Sequence, residues 1–451
     1  MLSEAESVPA ARSVAIVGGG LAGLSVAVAL GSSDHNVTVL EARPFLGGRA
    51  TSYPLNSVDE AGPTIDNCQH VLLRCCTNLI DFYQRLGVRN QIRFNREFYW
   101  IEPGGRISVM KRGLLPAPLH FTESFTRLHF LSMADKLSIA SGLLAVRYEY
   151  GKREDLERIT MLDWLREKRQ TVGAIDRFWR QVLVSAINED LERMAAIHGL
   201  QVFYVGFLSS ASAYEMGVPA VPLGKLYSEE IWSQYPNIKI MGRTPVRQVL
   251  IENGRVTELR LEADAVTADA YILAVPFERV AAIAPGLTLD FSEFSHSPIT
   301  GIHLWFDRSV TDLPHATLLD RTIQWMFNKG QGRHIQLVVS ASRALNEMPR
   351  GEVIALALQE LRDFFPAVAQ TKLERAHVVK EMRATFSATP HIERRRPVNR
   401  TAIPNLFLAG DWTRSGWPAT MEGAVRSGYL AAEAVTEFLG NRQRFLLPDI
   451  A

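Results

Sequence analysis

Gly18, Gly20 and Gly23 stand at G-x-G-x-x-G spacing, and Glu41 follows them at the end of an apolar run. That combination can hold a dinucleotide. The first glycine makes a tight turn, the second lets backbone reach a pyrophosphate, and the third lets a helix pack on a strand. Glu41 can accept hydrogen bonds from a ribose diol, which FAD and NAD present and NADP does not. Ala42 and Arg43 lead to Gly47, Gly48 and Arg49, where two glycines let the chain pass a cofactor closely and Arg49 can meet a phosphate. Far along the chain, Gly410 and Asp411 close another apolar run, and Met421-Glu-Gly423 follows. A carboxylate placed like Asp411 can be aimed at ribityl hydroxyls, and the positive end of the next helix can face a flavin. Asp66, Gln69 and His70 form the densest polar cluster in an otherwise apolar stretch. His70 has the intrinsic pKa of a general acid near neutrality.

These residues need elements to position them. Val14-Ala-Ile-Val17 reads as a strand, and the helix opening at Leu21, Ala22 and Gly23 offers free N–H groups to phosphates. Val37-Thr-Val-Leu40 is the second strand of the βαβ unit. Residues 106–228 read mainly as helices, and Ser132-Met-Ala-Asp135 and Thr160-Met-Leu-Asp163 are capping boxes. Short strands follow at 238–240, 246–251, 256–261 and 270–275, with Asn253-Gly254 as a hairpin turn. Further strand-like runs lie at 302–306, 323–327 and 334–339, a buried strand at 405–409, and a helix from Met421 to Leu439. The pattern predicts an α/β protein: a Rossmann-like dinucleotide domain with a mixed α+β substrate domain inserted twice. The nucleotide parts are 13–105, 229–292 and 391–445; the substrate parts are 106–228, mainly helical, and 293–390, mainly sheet.

The composition excludes several classes. A net charge of +1 over 451 residues gives no bulk attraction to nucleic acid. Three cysteines, Cys68, Cys75 and Cys76, make no disulfide framework and favour a reducing compartment. The start, Met1-Leu-Ser-Glu-Ala-Glu6, does not resemble a secretion signal, so the expected location is the cytoplasm. The apolar stretch 14–30 fits strand, turn and helix, and 202–223 is broken by Glu215 and two prolines, so neither is a spanning segment. No metal-ligand constellation is singled out.

The three nucleotide blocks together resemble the flavin-containing amine oxidase and carotenoid desaturase superfamily. The resemblance implies FAD contacts at Gly18, Gly20, Gly23, Glu41, Arg49, Asp411 and Met421, and at the backbone of Val246. Other stretches resemble one branch more closely, the squalene-associated FAD-dependent enzymes that dehydroxylate hydroxysqualene. They are Ile65-Asp-Asn-Cys-Gln-His-Val-Leu-Leu73, Arg177-Phe-Trp with Ala186-Ile-Asn-Glu-Asp190, Gly217-Val-Pro-Ala-Val-Pro-Leu223, and Pro418-Ala-Thr-Met-Glu-Gly423. Cys68 takes the place of a glycine usual in the first of these. Thr420 stands where amine oxidases of this fold tend to carry an aromatic cage residue, and no cysteine follows Cys76 to tether a flavin, so FAD is expected to be non-covalent.

The branch implies reductive removal of an allylic hydroxyl from a C30 isoprenoid alcohol, giving squalene. A dry apolar pocket would shield the developing cation. Phe203, Trp305, Trp325, Phe327, Trp417 and Thr420 are the candidate walls, and Asp66, Gln69 and His70 the candidate proton donors. The near alternative is an FAD-dependent isoprenoid desaturase running the flavin the other way; the distant one is a flavin-less lipid carrier. The carrier would have lost its polar cofactor contacts, yet Glu41, Arg49 and Asp411 are present. No second phosphate-binding loop is evident, so electrons are expected from external NAD(P)H or a reductase. A bilayer substrate implies peripheral contact with the inner face of the membrane. The apolar run Leu114-Leu-Pro-Ala-Pro-Leu-His-Phe121, continuing to Phe130-Leu131, is the candidate, while Arg394-Arg395-Arg396 reads as a solvated face.

Overall fold

The computed structural model describes residues 11–55 and 62–450; the acidic start at Met1 to Glu6 lies outside them. Five parallel strands form the nucleotide sheet, in the order Ile238–Met241, Asn36–Leu40, Ser13–Val17, Ala270–Leu273 and Leu406–Leu408. Alternation along Ser13–Val17 decides what each face meets. Val14 and Ile16 pack under the helix Leu21–Leu30, whereas Ala15 and Val17 meet Val249, Val256 and Leu259 of a small antiparallel sheet. Every residue of Leu21–Leu30 is buried, because the helix Met421–Phe438 covers its outer side. The Asn253-Gly254 turn has positive φ at both residues (50° and 74°), the hairpin geometry its sequence predicts.

A second sheet has seven strands, in the order Leu373–Phe386, His296–Phe306, His334–Ser340, Trp325–Gly330, His315–Leu318, Glu97–Ile101 and Ile107–Lys111. One face is closed by the helix Arg350–Phe364, whose Val353, Ala357 and Leu361 pack on Ile302, Leu304, Ile335 and Leu337. The alternate residues, among them His303, Gln336, Phe327, Lys329, Phe98 and Trp100, therefore face the opposite way. Opposite them stands a helical layer including Met133–Glu149, Arg180–Ile187 and Ala196–Phe203, centred on buried Trp164, Trp179 and Phe203. Both capping boxes form their N-cap bonds: Ser132 Oγ accepts from Asp135 N and Thr160 Oγ1 from Asp163 N.

Three features depart from the sequence-based division. Glu97–Ile101 belongs to the second sheet, so the nucleotide segment expected to reach residue 105 ends earlier. Leu373–Phe386, a 14-residue strand, is hidden by charges on its exposed positions, and the helix Arg350–Phe364 falls inside a stretch expected to be mainly sheet. The run Arg394-Arg395-Arg396 is not wholly solvated. Arg396 is buried, paired with Glu393, and donates to the carbonyls of Asp411 (2.9 Å) and Thr413 (2.5 Å). It clamps the turn that carries Asp411.

Candidate active site

The glycine motif builds a cradle of backbone. Among the described residues no side chain caps the helix Leu21–Leu30, so the N–H groups of Leu21, Ala22 and Gly23 remain for a ligand. A Cβ on Gly23 would stand 2.0 Å from the Gly18 carbonyl oxygen, so any larger residue forces helix and strand apart. A Cβ on Gly48, whose φ is +63°, would stand 3.1 Å from the Gly20 Cα, so the two glycines wall a slot that a side chain would narrow. These are features a pyrophosphate fills. Glu41 accepts from Gly19 N (2.7 Å) and Arg43 N (2.8 Å), so its carboxylate is held at the end of the second strand. Ala42 is exposed beside it, and the Thr244 N–H bonds the Glu41 carbonyl, which brings the segment leading to Val246 alongside.

Arg49 and Asp411 meet across the cradle. Nη2 of Arg49 donates to both Asp411 oxygens at 2.8 Å, and Nη1 to the Ala384 carbonyl at 2.7 Å. Gly410 precedes this aspartate, and its N–H is fixed by Ser427 Oγ at 2.7 Å. The helix Met421–Phe438 begins nearby, capped by Thr420, whose Oγ1 accepts from Gly423 N.

The expected polar cluster assembles in part. Asp66, 4% exposed, accepts from Leu223 N (3.0 Å) and from Lys329 Nζ (3.0 Å), and Gln69 Oε1 accepts from the same ammonium at 3.1 Å. Lys329 thus joins Asp66 and Gln69, leaving its third N–H bond without a partner among the described residues. His70 does not join them: its Nδ1 lies 3.0 Å from the Cys68 carbonyl, and burial holds its pKa below the usual value. A neutral imidazole bonded this way is not a ready acid. The lysine carries no motif; only its place in the register of Trp325–Gly330, two residues beyond Phe327, marks it.

An apolar cavity opens beside the cluster. Gln69, Thr420, Met421 and Glu422 belong to its lining, with Ser185, Gln201 and Ser340 as further polar groups; Trp325, Phe327 and Val338 form the sheet wall, and Phe98, Trp100 and Met110 come from the last two strands of that sheet. Val202, Val205, Gly206 and Phe207 supply the helical wall, partly from the π-helical turn Tyr204–Leu208. Trp325, Phe327, Trp417 and Thr420 line the cavity as the sequence suggests, but Phe203 and Trp305 do not. Phe203 points away into the helical core, 4.5 Å from the Trp179 ring, while its neighbour Val202 faces the cavity. Trp305 stacks on His334 at 4.3 Å. Sequence reasoning passed over Glu422. Fully buried, it accepts from Asn78 N (3.2 Å), Asn78 Nδ2 (2.8 Å) and Leu79 N (2.7 Å), and burial pushes its pKa up to about 7. Among the described residues no cluster of metal-ligating side chains occurs.

A Rossmann-like sheet with an uncapped glycine turn, a ribose-directed acid, and an apolar chamber against a second sheet defines a flavoprotein oxidoreductase. The flavin containing amine oxidoreductase family matches residues 21–436, and the chain belongs to that family, with FAD as its cofactor. Zeta-carotene desaturase of Synechocystis sp. is 26% identical over 96% of this chain and 98% of its own length. The 15-cis-phytoene desaturase of Solanum lycopersicum is 26% identical over 94% of this chain and 77% of its own. Among solved structures, putrescine oxidase bound to putrescine superposes with a TM-score of 0.69 at 16% identity, covering 94% of this chain and 99% of that one. Cyclohexylamine oxidase from Brevibacterium oxydans gives 0.64 at 18% identity, covering 95% and 99%. These last likenesses describe the fold alone.

Proposed function

We propose that this flavoenzyme acts on a long isoprenoid chain and desaturates it. The observation that carries the reading is the cavity: apolar and aromatic side chains make up most of its lining, and of its few polar groups Thr420 and Glu422 stand at the start of the helix that follows Asp411. A chain of isoprene units laid there would meet mostly carbon along its body. Near-full-length similarity to carotene desaturases supports the same substrate class.

The residues divide the work. Gly20, Gly48 and the helix start at Leu21 would hold the pyrophosphate, Glu41 the ribose, and Asp411 with Arg49 the ribityl and phosphate portion. FAD, when bound, supplies two-electron chemistry. No cysteine follows Cys76, which supports non-covalent attachment. Trp325, Phe327 and Val338 would exclude water and fix the chain against the sheet. In desaturation an external electron acceptor would reoxidise the reduced flavin; external NAD(P)H or a reductase would serve only a reductive reaction.

One observation favours a second reading, reductive dehydroxylation of hydroxysqualene. Lys329 keeps one N–H without a partner among the described residues, next to Gln69 of the cavity lining, and a departing allylic hydroxyl needs a proton donor. The resemblance at 65–73 and 418–423 points the same way. Anaerobic mixing separates the two. Bleaching of the oxidised flavin band by phytoene or zeta-carotene, with a new double bond in the extracted lipid, supports desaturation. If reduced enzyme is instead reoxidised by hydroxysqualene with squalene appearing, the second reading replaces the first. No flavin response to any of these lipids overturns both.

A further inference from the structure

Two exposed apolar features stand side by side on the outside of the helical layer. The loop 113–121 leaves the strand Ile107–Lys111 with Leu114 fully exposed, Leu119 58% exposed and Leu115 49% exposed. The helix Met133–Glu149 buries Ile139, Gly142 and Val146 but turns Met133, Leu137, Leu144 and Tyr148 outward, each at least 66% exposed. Those four fall on one stripe at spacings of four, seven and four residues. A soluble surface helix carries polar residues there. The two features are tied together, since Lys136 Nζ donates to the Thr126 carbonyl just beyond the loop.

Both features lead to the cavity. Phe121, at the base of the loop, stacks edge-on against Tyr214 at 4.6 Å and lies 6.1 Å from Phe207, a cavity wall. Tyr150, at the end of the helix, lies 4.7 Å from Tyr204, which opens the π-helical turn of that wall.

Charge selects the occupant. Residues 106–152 hold seven Lys and Arg against three Asp and Glu, an excess of +4 in a chain whose total is +1. Lys111, Arg112 and Arg127 converge with His129 on a shallow pocket beside the loop, into which Glu123 also points. Lys111 pairs with Glu97 (2.8 Å) and Arg127 with Glu123 (3.2 Å), and Arg112 is exposed. A phosphate fits cations set at the foot of apolar prongs.

We propose that the loop 113–121 and the outer stripe of Met133–Glu149 form a docking surface for an anionic lipid bilayer. Leu114, Leu119, Leu137 and Leu144 enter the acyl region while Arg112 and Arg127 meet lipid phosphates. Docking stands apart from the proposed reaction: it concerns how a bilayer lipid reaches the cavity, and it is measured without turnover.

The test is co-flotation of the FAD-loaded protein with vesicles of phosphatidylcholine alone or of equimolar phosphatidylcholine and phosphatidylglycerol. Binding is expected to the mixed vesicles, and to weaken as salt rises. Arg112→Gln with Arg127→Gln should weaken it roughly 30-fold at low salt. Leu114→Ser with Leu119→Ser, or Leu137→Ser with Leu144→Ser, should abolish it while flavin content and Tm stay unchanged, because these side chains are exposed. Equal binding to both vesicle types, or retention of binding by the leucine variants, overturns the proposal. So does a dimer in light scattering that these leucine variants dissociate, which would assign the face to a second copy. Loss of isoprenoid turnover with vesicle binding intact would overturn the reaction and leave the surface standing.

Discussion

The two large sheets of this molecule meet their ligands by different means. The nucleotide sheet presents backbone: glycine Cα atoms, unused N–H groups at a helix start, and one carboxylate held by two main-chain N–H bonds. The seven-stranded sheet presents side chains, aromatic over its apolar strands and ionisable where Lys329 and His303 stand. A backbone site tolerates almost no change of residue, whereas a side-chain wall can be recut. The difference has a physical root, since a Cβ cannot be moved aside but a rotamer can.

Substitutions can break this contrast. Gly23→Val should be the most severe: with a Cβ 2.0 Å from the Gly18 oxygen, purified protein should contain no flavin by absorbance. Lys329→Met, across on the second sheet, should keep flavin but lower turnover roughly a hundredfold, with the pH profile of kcat altered. If flavin is lost with Lys329, the division of labour is wrong. Arg396→Met should cost about 3 kcal/mol of stability by leaving the Asp411 and Thr413 carbonyls unpaired, seen as a lower Tm with weakened flavin retention.

Acid should loosen the substrate half first. Burial depresses His198 and His315 to about 4 and His303 to about 3, and all three lie outside the nucleotide sheet. Unfolded histidines bind protons near 6.5, so this stabilisation is complete above 6.5 and is lost as pH falls toward 4 and 3. The expected loss at pH 5 is on the order of 1–2 kcal/mol per histidine, and tryptophan fluorescence should report it before flavin is released. The mildest change is Trp325→Ala, which should raise KM by about tenfold while leaving kcat nearly intact, the sign of a wall that only binds. A large fall in kcat would move Trp325 from wall to reaction.

The sequence displayed one sheet better than the other for the same reason. Gly18, Gly20, Gly23 and Glu41 act through local backbone geometry, and local spacing records it. Gly410, Asp411 and Met421 are legible too, because a strand end and a helix start flank them. Lys329 is a lone lysine in a strand, and only a register with distant segments brings it to Asp66. Phe203 and Trp305 failed as walls since an aromatic residue does not reveal which side of its element faces the core. Arg396 looked like part of a charged run, and the carbonyls that bury it lie on another segment. The strand at Leu373–Phe386 was hidden by Glu374, Arg375 and Arg383 at its exposed positions.

The nucleotide sheet also fixes an order of events during synthesis. Ser13 bonds to Asp269, 256 residues later, and Ala270–Leu273 pairs in turn with Leu406–Leu408. At roughly 5–20 residues per second, the first strand waits about 13–50 s for that neighbour to be made. During that interval Val14-Ala-Ile-Val17 is a bare, β-branched edge with no partner on one side. The newborn chain should therefore engage ribosome-associated chaperones through its first strand, and flavin should be captured only as the last segments emerge.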